Sequence, residues 1–234
     1  RRRVEAVVIG KVDQFGRPLA GTERTVPCDA LILSVGLIPE NEIIEPLGVE
    51  MDRKTSGPIV DQNMMTSVDG LFACGNAVHV NDLVDYVSES GQTAGKAAAA
   101  YATGQYGYGL SESERRKAVA HVRHLINIQA AGNMHYIVPQ RFDLTHHVSA
   151  GDEAVFYFRS RTRLDSALLR ISAGKTLLDE RRYAVVRPPE MERITLNLTD
   201  LSRSPNWTDH LLEQSRLITA ELVSEGGDSA NDND

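Results

Sequence analysis

Residues 66–91 read TSVDGLFACGNAVHVNDLVDYVSESG, and this stretch decides the fold. Gly70 to Cys74 is a short apolar run that predicts a buried strand stopping at Gly75. A loop follows, and Asp82 with Asp85 three positions on predicts a capped helix running to about Thr103. Ala97 to Ala100 are strong helix formers at its far end. In an α/β sheet, the carboxyl end of a strand that leads into a helix is where ligands bind. Gly75 lacks a Cβ and permits close approach, and Asn76 carries both donor and acceptor groups. The first amides of a helix have no partner within it and carry partial positive charge. Those of Leu83 and Val84 are therefore expected to favour a negative ligand atom.

Upstream, Val4 to Val12 reads as a strand and Arg24 to Val26 as its hairpin return. Asp29 to Val35 is an unbroken apolar run ended by Gly36, the pattern of a strand buried on both faces. Ile59-Val60 reads as a further short strand, and Gly91 and Gly95 share a helix face suited to close approach of a neighbour. Downstream, Ser111-Glu112-Ser113-Glu114 resembles a capping box for a second helix. Its stripe would be Ala118, Val119, Val122, Leu125 and Ile126, ending near Gly132. From residue 133 the period changes. Tyr136–Val138, Ala154–Phe158, Ala167–Ile171, Tyr183–Val186 and Ile194–Leu198 are strand-like, which predicts a small sandwich or barrel. Ser204-Pro205 predicts a last helix with Leu211, Leu212, Ile218 and Leu222 on its apolar face. The final ten residues are acidic and rich in Gly and Asn, a composition expected to be disordered.

A net charge of −7 argues against nucleic-acid binding, which needs clustered Lys and Arg. No apolar run has membrane-spanning length and no signal peptide is read, so a cytoplasmic location is expected. Cys28 and Cys74 form no CxxC pair, which leaves neither a redox disulfide nor a Cys-based zinc site. Two reduced, buried thiols are the expectation. Arg1 instead of Met, directly ahead of a strand, reads as a sign of a fragment or a processed chain.

The quoted stretch resembles the second FAD motif of the pyridine nucleotide-disulfide oxidoreductase superfamily. Thr66-Ser67, Gly70 to Ala73 and Gly75 match that motif in order and spacing. Cys28 to Gly36, followed by Pro39 and Asn41, resembles the strand that leaves the NAD(P) domain and returns to the FAD domain. A closer resemblance, carried by Gly36 to Glu42, Cys74-Gly75-Asn76 and Leu83 to Ser88, is to flavoproteins that accompany glycerol-3-phosphate dehydrogenase, and to opine-oxidase and cyanide-synthase subunits. The fold so implied is α/β, an incomplete two-dinucleotide-binding-domain flavoprotein, followed by a small β-rich sandwich-like domain. The divisions are 1–36, an NAD(P)-domain remnant; 37–132, the second FAD-domain segment; 133–202, the β-rich domain; and 203–234, a helix and tail.

The resemblance implies FAD and NAD(P)H as cofactors. It places Gly36 beside the FAD near the crossover and Gly75 and Asn76 at the ribityl and pyrophosphate. Leu83 and Val84 would present amides to the flavin pyrimidine edge, and Asp82, as the cap, completes the set. It implies hydride transfer between NAD(P)H and flavin, then to a small redox substrate or a partner dehydrogenase subunit, with a homo-oligomer also open. Three departures stand out. Asn76 replaces the usual Asp, Leu37 replaces a polar residue, and no GxGxxG occurs. The segment alone is therefore expected to bind FAD poorly and to be inactive.

Plainer readings stand beside these. His79 can carry a proton or simply hydrogen-bond backbone, and Cys74 can be a redox thiol or a packed small residue. Asp82 and Asp85 can be an acid/base pair, though capping already explains them. His121 with His124, and His146-His147, lack a third ligand, so no metal site is read. The competing functions are a non-enzymatic docking or oligomerisation module and a flavoprotein remnant that has lost its cofactor.

Overall fold

The computed structural model describes residues 3–13, 17–34, 36–103, 125–143, 153–197 and 217–225. Expectations for the capping box at Ser111, for the paired histidines, for Leu211-Leu212 and for the tail from Gly226 lie outside them. The chain divides into two compact units, Arg1–Leu37 and Ile38–Asp234.

In the first unit, β1 (Ala6–Ile9) and β2 (Arg24–Pro27) form an antiparallel hairpin with Val7 opposite Val26. This is the hairpin expected from the sequence. The strand expected at Asp29 to Val35 is not formed among the described residues of that run, where Leu31, Ile32 and Leu33 stand 54%, 92% and 71% exposed. An apolar run becomes a two-faced buried strand only where neighbouring strands pair with it. The described residues of this unit offer a single hairpin, and its two strands pair with each other.

The second unit begins with irregular chain. Isolated bridges join Met51 to Pro58 and Met65 to Phe72, so the strand expected at Gly70–Cys74 is reduced to one bridge contact and the one expected at Ile59-Val60 is not formed. Their apolar residues are still covered. Val60 and Met65 are at most 1% exposed, and Ala73 is buried. Helix α1 (Val84–Ala102) then turns Ser90, Ala94, Ala97 and Ala100 inward, at intervals of three and four residues. Ala94 packs with Val60, Met64 and Val78, and Ala97 and Ala100 pack with Met65. Small side chains on this face let the helix lie close over the two methionines. A Cβ placed on Gly91 or Gly95 meets nothing within 4 Å, so the close approach expected there is not made among the described residues.

The rest is a two-sheet sandwich. One sheet runs β5-β3-β10-β7-β8: Arg141–Asp143, Leu125–Gly132, Leu217–Ser224, Leu164–Ala173 and Thr176–Val186. The other runs β4-β6-β9: Met134–Val138, Glu153–Ser160 and Glu192–Asn197. Alternation builds it. In β6, Ala154, Phe156 and Phe158 enter the core shared with Ile126, Leu169, Ile194 and Leu222. Leu125 and Ile126, expected on a helix, begin β3. Ile218 and Leu222, expected on the last helix, lie in β10, which pairs parallel to β3 and antiparallel to β7. Spacings of four residues fit one helix face and one strand face equally, and the partner strands decide.

Candidate functional site

The loop from Gly75 to Leu83 is held by specific contacts from four directions. Gly75 has φ +66, a conformation that favours glycine, and an added Cβ would stand 3.0 Å from Val87 Cγ1. Its N–H donates to Ser90 Oγ at 2.9 Å. Asn76 Oδ1 accepts from the backbone N–H and the side-chain amide of Asn81, both at 3.1 Å. Asn41 Nδ2 donates to the carbonyls of Ala77 (2.9 Å) and Ser56 (3.0 Å). Gly57 completes the grip. A Cβ there would fall 1.9 Å from the Val78 carbonyl oxygen, so only glycine allows the two backbones to touch.

The sequence reading gave Gly75 and Asn76 to a ligand. Here the Gly75 amide is committed to Ser90 of α1 and the Asn76 side-chain oxygen to Asn81 of the loop itself. The Asn76 side-chain amine keeps its donor capacity.

Asp82 is not the helix cap. The N-cap is Leu83, with extended φ −122 and ψ 139, and no side chain caps the first turn. Asp82 instead accepts the Met191 N–H at 2.7 Å and pairs with Arg159 of β6. Capping preference is a local rule, and a cation and an amide brought from the sandwich have overridden it. Among the described residues, no acceptor meets the Val84 and Asp85 amides, as expected for a first helical turn. Leu83 and Val84 are 51% and 75% exposed, so an open apolar rim surrounds these donors. Asp85 lies in the same turn, where its charge complements the helix dipole.

Behind the loop stands a cluster that sequence reasoning missed. Arg159 Nε donates to Tyr136 Oη at 2.9 Å, and its guanidinium also reaches the Val80 carbonyl at 3.3 Å. Tyr157 donates its hydroxyl to Glu89, which Arg193 holds at 2.6 and 3.1 Å. Tyr86 packs on Tyr157 with ring centroids 5.2 Å apart, and His79 lies 5.6 Å from Tyr157 and 6.0 Å from Tyr136. His79 is 4% exposed and its Nδ1 meets no hydrogen-bond partner among the described residues. Burial first, then the neighbouring Arg159 charge, lowers its pKa to about 4, against a smaller opposing effect of Asp82. It is a neutral core imidazole. Hydrogen bonding to Arg193 holds the Glu89 carboxyl below its ordinary value. Burial, then the bond to Glu89, raises the Tyr157 hydroxyl.

The only sequence signal for this cluster was alternation in Glu153–Ser160. If Phe156 and Phe158 face one side, Tyr157 and Arg159 must face the other.

Gly36 belongs to the first unit. It has φ +83, and an added Cβ there would meet nothing within 4 Å. Cys74 is exposed and Cys28 half-buried, which corrects the reading of both as buried thiols. Among the described residues no three His, Cys, Asp or Glu come together to hold a metal, and no helix is long and apolar enough to cross a membrane.

Residues 3–104 match the sequence model of the family Pyridine nucleotide-disulphide oxidoreductase. The match supports membership of that superfamily and suggests its general oxidoreductase chemistry. It contains the hairpin, the Gly75 loop and all of α1, and it stops ahead of β3. The mixed α/β architecture is compatible with part of a Rossmann-like flavoprotein fold. No solved structure matches the chain.

Proposed function

We propose that this chain supplies the C-terminal half of an FAD site in an oxidoreductase that moves hydride from NAD(P)H to flavin and on to a small substrate or partner subunit. The observation that carries the reading is the start of α1. It offers two amides without an acceptor among the described residues, beside exposed Leu83 and Val84, directly after a glycine-shaped loop, within the family-matched residues. These groups fit a flavin edge: flat, apolar on its faces, and more negative at its pyrimidine end once reduced. Bound flavin would supply the hydride chemistry. The Val84 and Asp85 amides would orient the ring and stabilise the reduced form, and Leu83 and Val84 would exclude water. Gly75 and Asn76 act by shaping the approach, with the Asn76 amine as a further donor.

The closer resemblance to glycerol-3-phosphate dehydrogenase-associated flavoproteins supports a partner subunit. Free Cys28 and Cys74 suit a reducing, cytoplasmic setting. Exposed Leu31, Ile32 and Leu33 favour the second reading, a docking module. Flavin content separates the two.

Gly75→Val is a poor test, because its φ and the nearness of Val87 would strain the loop with or without a ligand. Val84→Glu is cleaner. The side chain is exposed, and a carboxylate there would oppose the reduced flavin. We expect an intact fold and a loss of flavin affinity of about tenfold, or about 1.4 kcal/mol, read by absorbance after dialysis of the full protein. Equal flavin retention by variant and wild type would remove α1 from the site.

A further inference from the structure

The β-rich sandwich touches α1 through a defined set of polar anchors on one face. On β6, Tyr157 and Arg159 point away from the sandwich core that Phe156 and Phe158 enter. Arg193 projects from β9 beside them. On the other side, Tyr86 and Glu89 are three residues apart and share a helix face, and Asp82 immediately precedes the helix. Two anchors result. The forward one joins Arg159 and the Met191 amide to Asp82, with the Val80 carbonyl and Tyr136 hydroxyl as further Arg159 partners. The rear one joins Tyr157 and Arg193 to Glu89, with Tyr86 packed beside Tyr157.

The two anchors differ in kind. Glu89 lies inside the regular helix, where backbone hydrogen bonds already fix the chain. Asp82 lies before it, where no side chain caps the turn and Leu83 is extended. The forward anchor therefore restrains the part of the chain that aims the first amides. The Arg159 side chain is only 14% exposed and its donors are shared among four residues, Tyr136, Val80, Asp82 and Pro189, so its direction is fixed from several sides, while the Asp82 carboxylate is 33% exposed.

We propose that Arg159 is a positioning residue. From the β-rich sandwich it holds Asp82, and so fixes the direction in which the Val84 and Asp85 amides face the flavin. This inference rests on the flavin reading above. It gives the sandwich a task in that site, which is to tune the cofactor through the start of α1 without touching it.

The test uses the full protein, with Arg159→Met and Arg159→Lys compared to wild type. Arg159→Met should retain flavin, shift the visible flavin bands, and move the midpoint potential to more negative values as reduced flavin loses aligned donors. Hydrogen exchange at Tyr86 and Val87, whose amides donate to the Leu83 carbonyl, should quicken. Arg159→Lys, which keeps the charge, should recover part of each change. If Arg159→Met does not fold, Asp82→Asn carries the same readouts, because its amide oxygen can still accept from Met191 while the charge is lost. Flavin-loaded variants with unchanged bands and potential would overturn the positioning role while leaving the flavin site standing. A wild-type protein that holds no flavin would overturn the underlying reading instead.

Discussion

Residues 49–83 and the β-rich sandwich solve the same problem in opposite ways. The sandwich is regular. Its strands satisfy one another's backbone groups, and its core is made by alternation. The loop segment has two isolated bridges and a few turns, and its backbone is held by particular side chains: Asn41, Asp61, Asn76 and Ser90. Asp61, 1% exposed, accepts from the amides of Asn63 and Met65 at 2.9 and 3.0 Å. Regular pairing distributes stability over many equivalent contacts. Side-chain tethering concentrates it, and leaves the backbone free to take an irregular path.

Three substitutions would sharpen or break this contrast. The largest effect is expected in the sandwich. Phe158 is fully buried, and Phe158→Ala should cost about 3–5 kcal/mol in chemical denaturation. A much smaller loss would mean that the two sheets are not packed through this core.

The next is pH-dependent. His79 titrates near 4 when folded, below its ordinary 6.5, so the unfolded chain takes up the proton first. Stability should be full above pH 6.5 and fall as pH drops towards 4, by up to about 3 kcal/mol at about 1.4 kcal/mol per pKa unit. His79→Phe keeps the ring and removes the proton, and should flatten this slope. The difference between the two proteins separates His79 from His135, whose pKa is also lowered by burial and by nearby Lys54 and arginines. Parallel pH profiles would show that His79 is not the buried neutral group described.

The smallest is Gly57→Ala. The added methyl would press on the Val78 carbonyl and force the loops apart, at about 1–3 kcal/mol. On the flavin reading proposed above, affinity for the cofactor should fall with it, since Gly57 supports the Gly75 loop from beneath. Full stability and full affinity would mean that the backbones can separate without consequence.

What the sequence showed follows from the same contrast. The sandwich strands were legible because alternation is written locally, in runs such as Ala154 to Phe158. So was α1, from its run of alanines and its stop near Thr103. Ile126, four residues on from Val122, and the pair Ile218 and Leu222 were misread because a four-residue spacing fits either period. The described part of the run Asp29 to Val35 was misread because two-faced burial depends on neighbours that no local pattern specifies. At the candidate site, Gly75 was singled out because it lacks a Cβ and permits close approach, but its amide proved to be spent on Ser90. Asp82 was expected to cap the helix and does not. Its partners, Arg159 and Met191, come from far along the chain, and no window centred on Asp82 contains them.

The parallel pairing of β10 with β3 carries a consequence for how the molecule is made. Leu217–Ser224 sits in the middle of the five-stranded sheet, between one of the earliest sandwich strands and β7. During synthesis the sheet cannot close until that strand emerges, and bringing it to β3 requires a large entropic loop closure. Until then β3 and β7 present two bare, apolar edges. Ribosome-bound or truncated chains that stop before Leu217 are thus the species most exposed to misassociation.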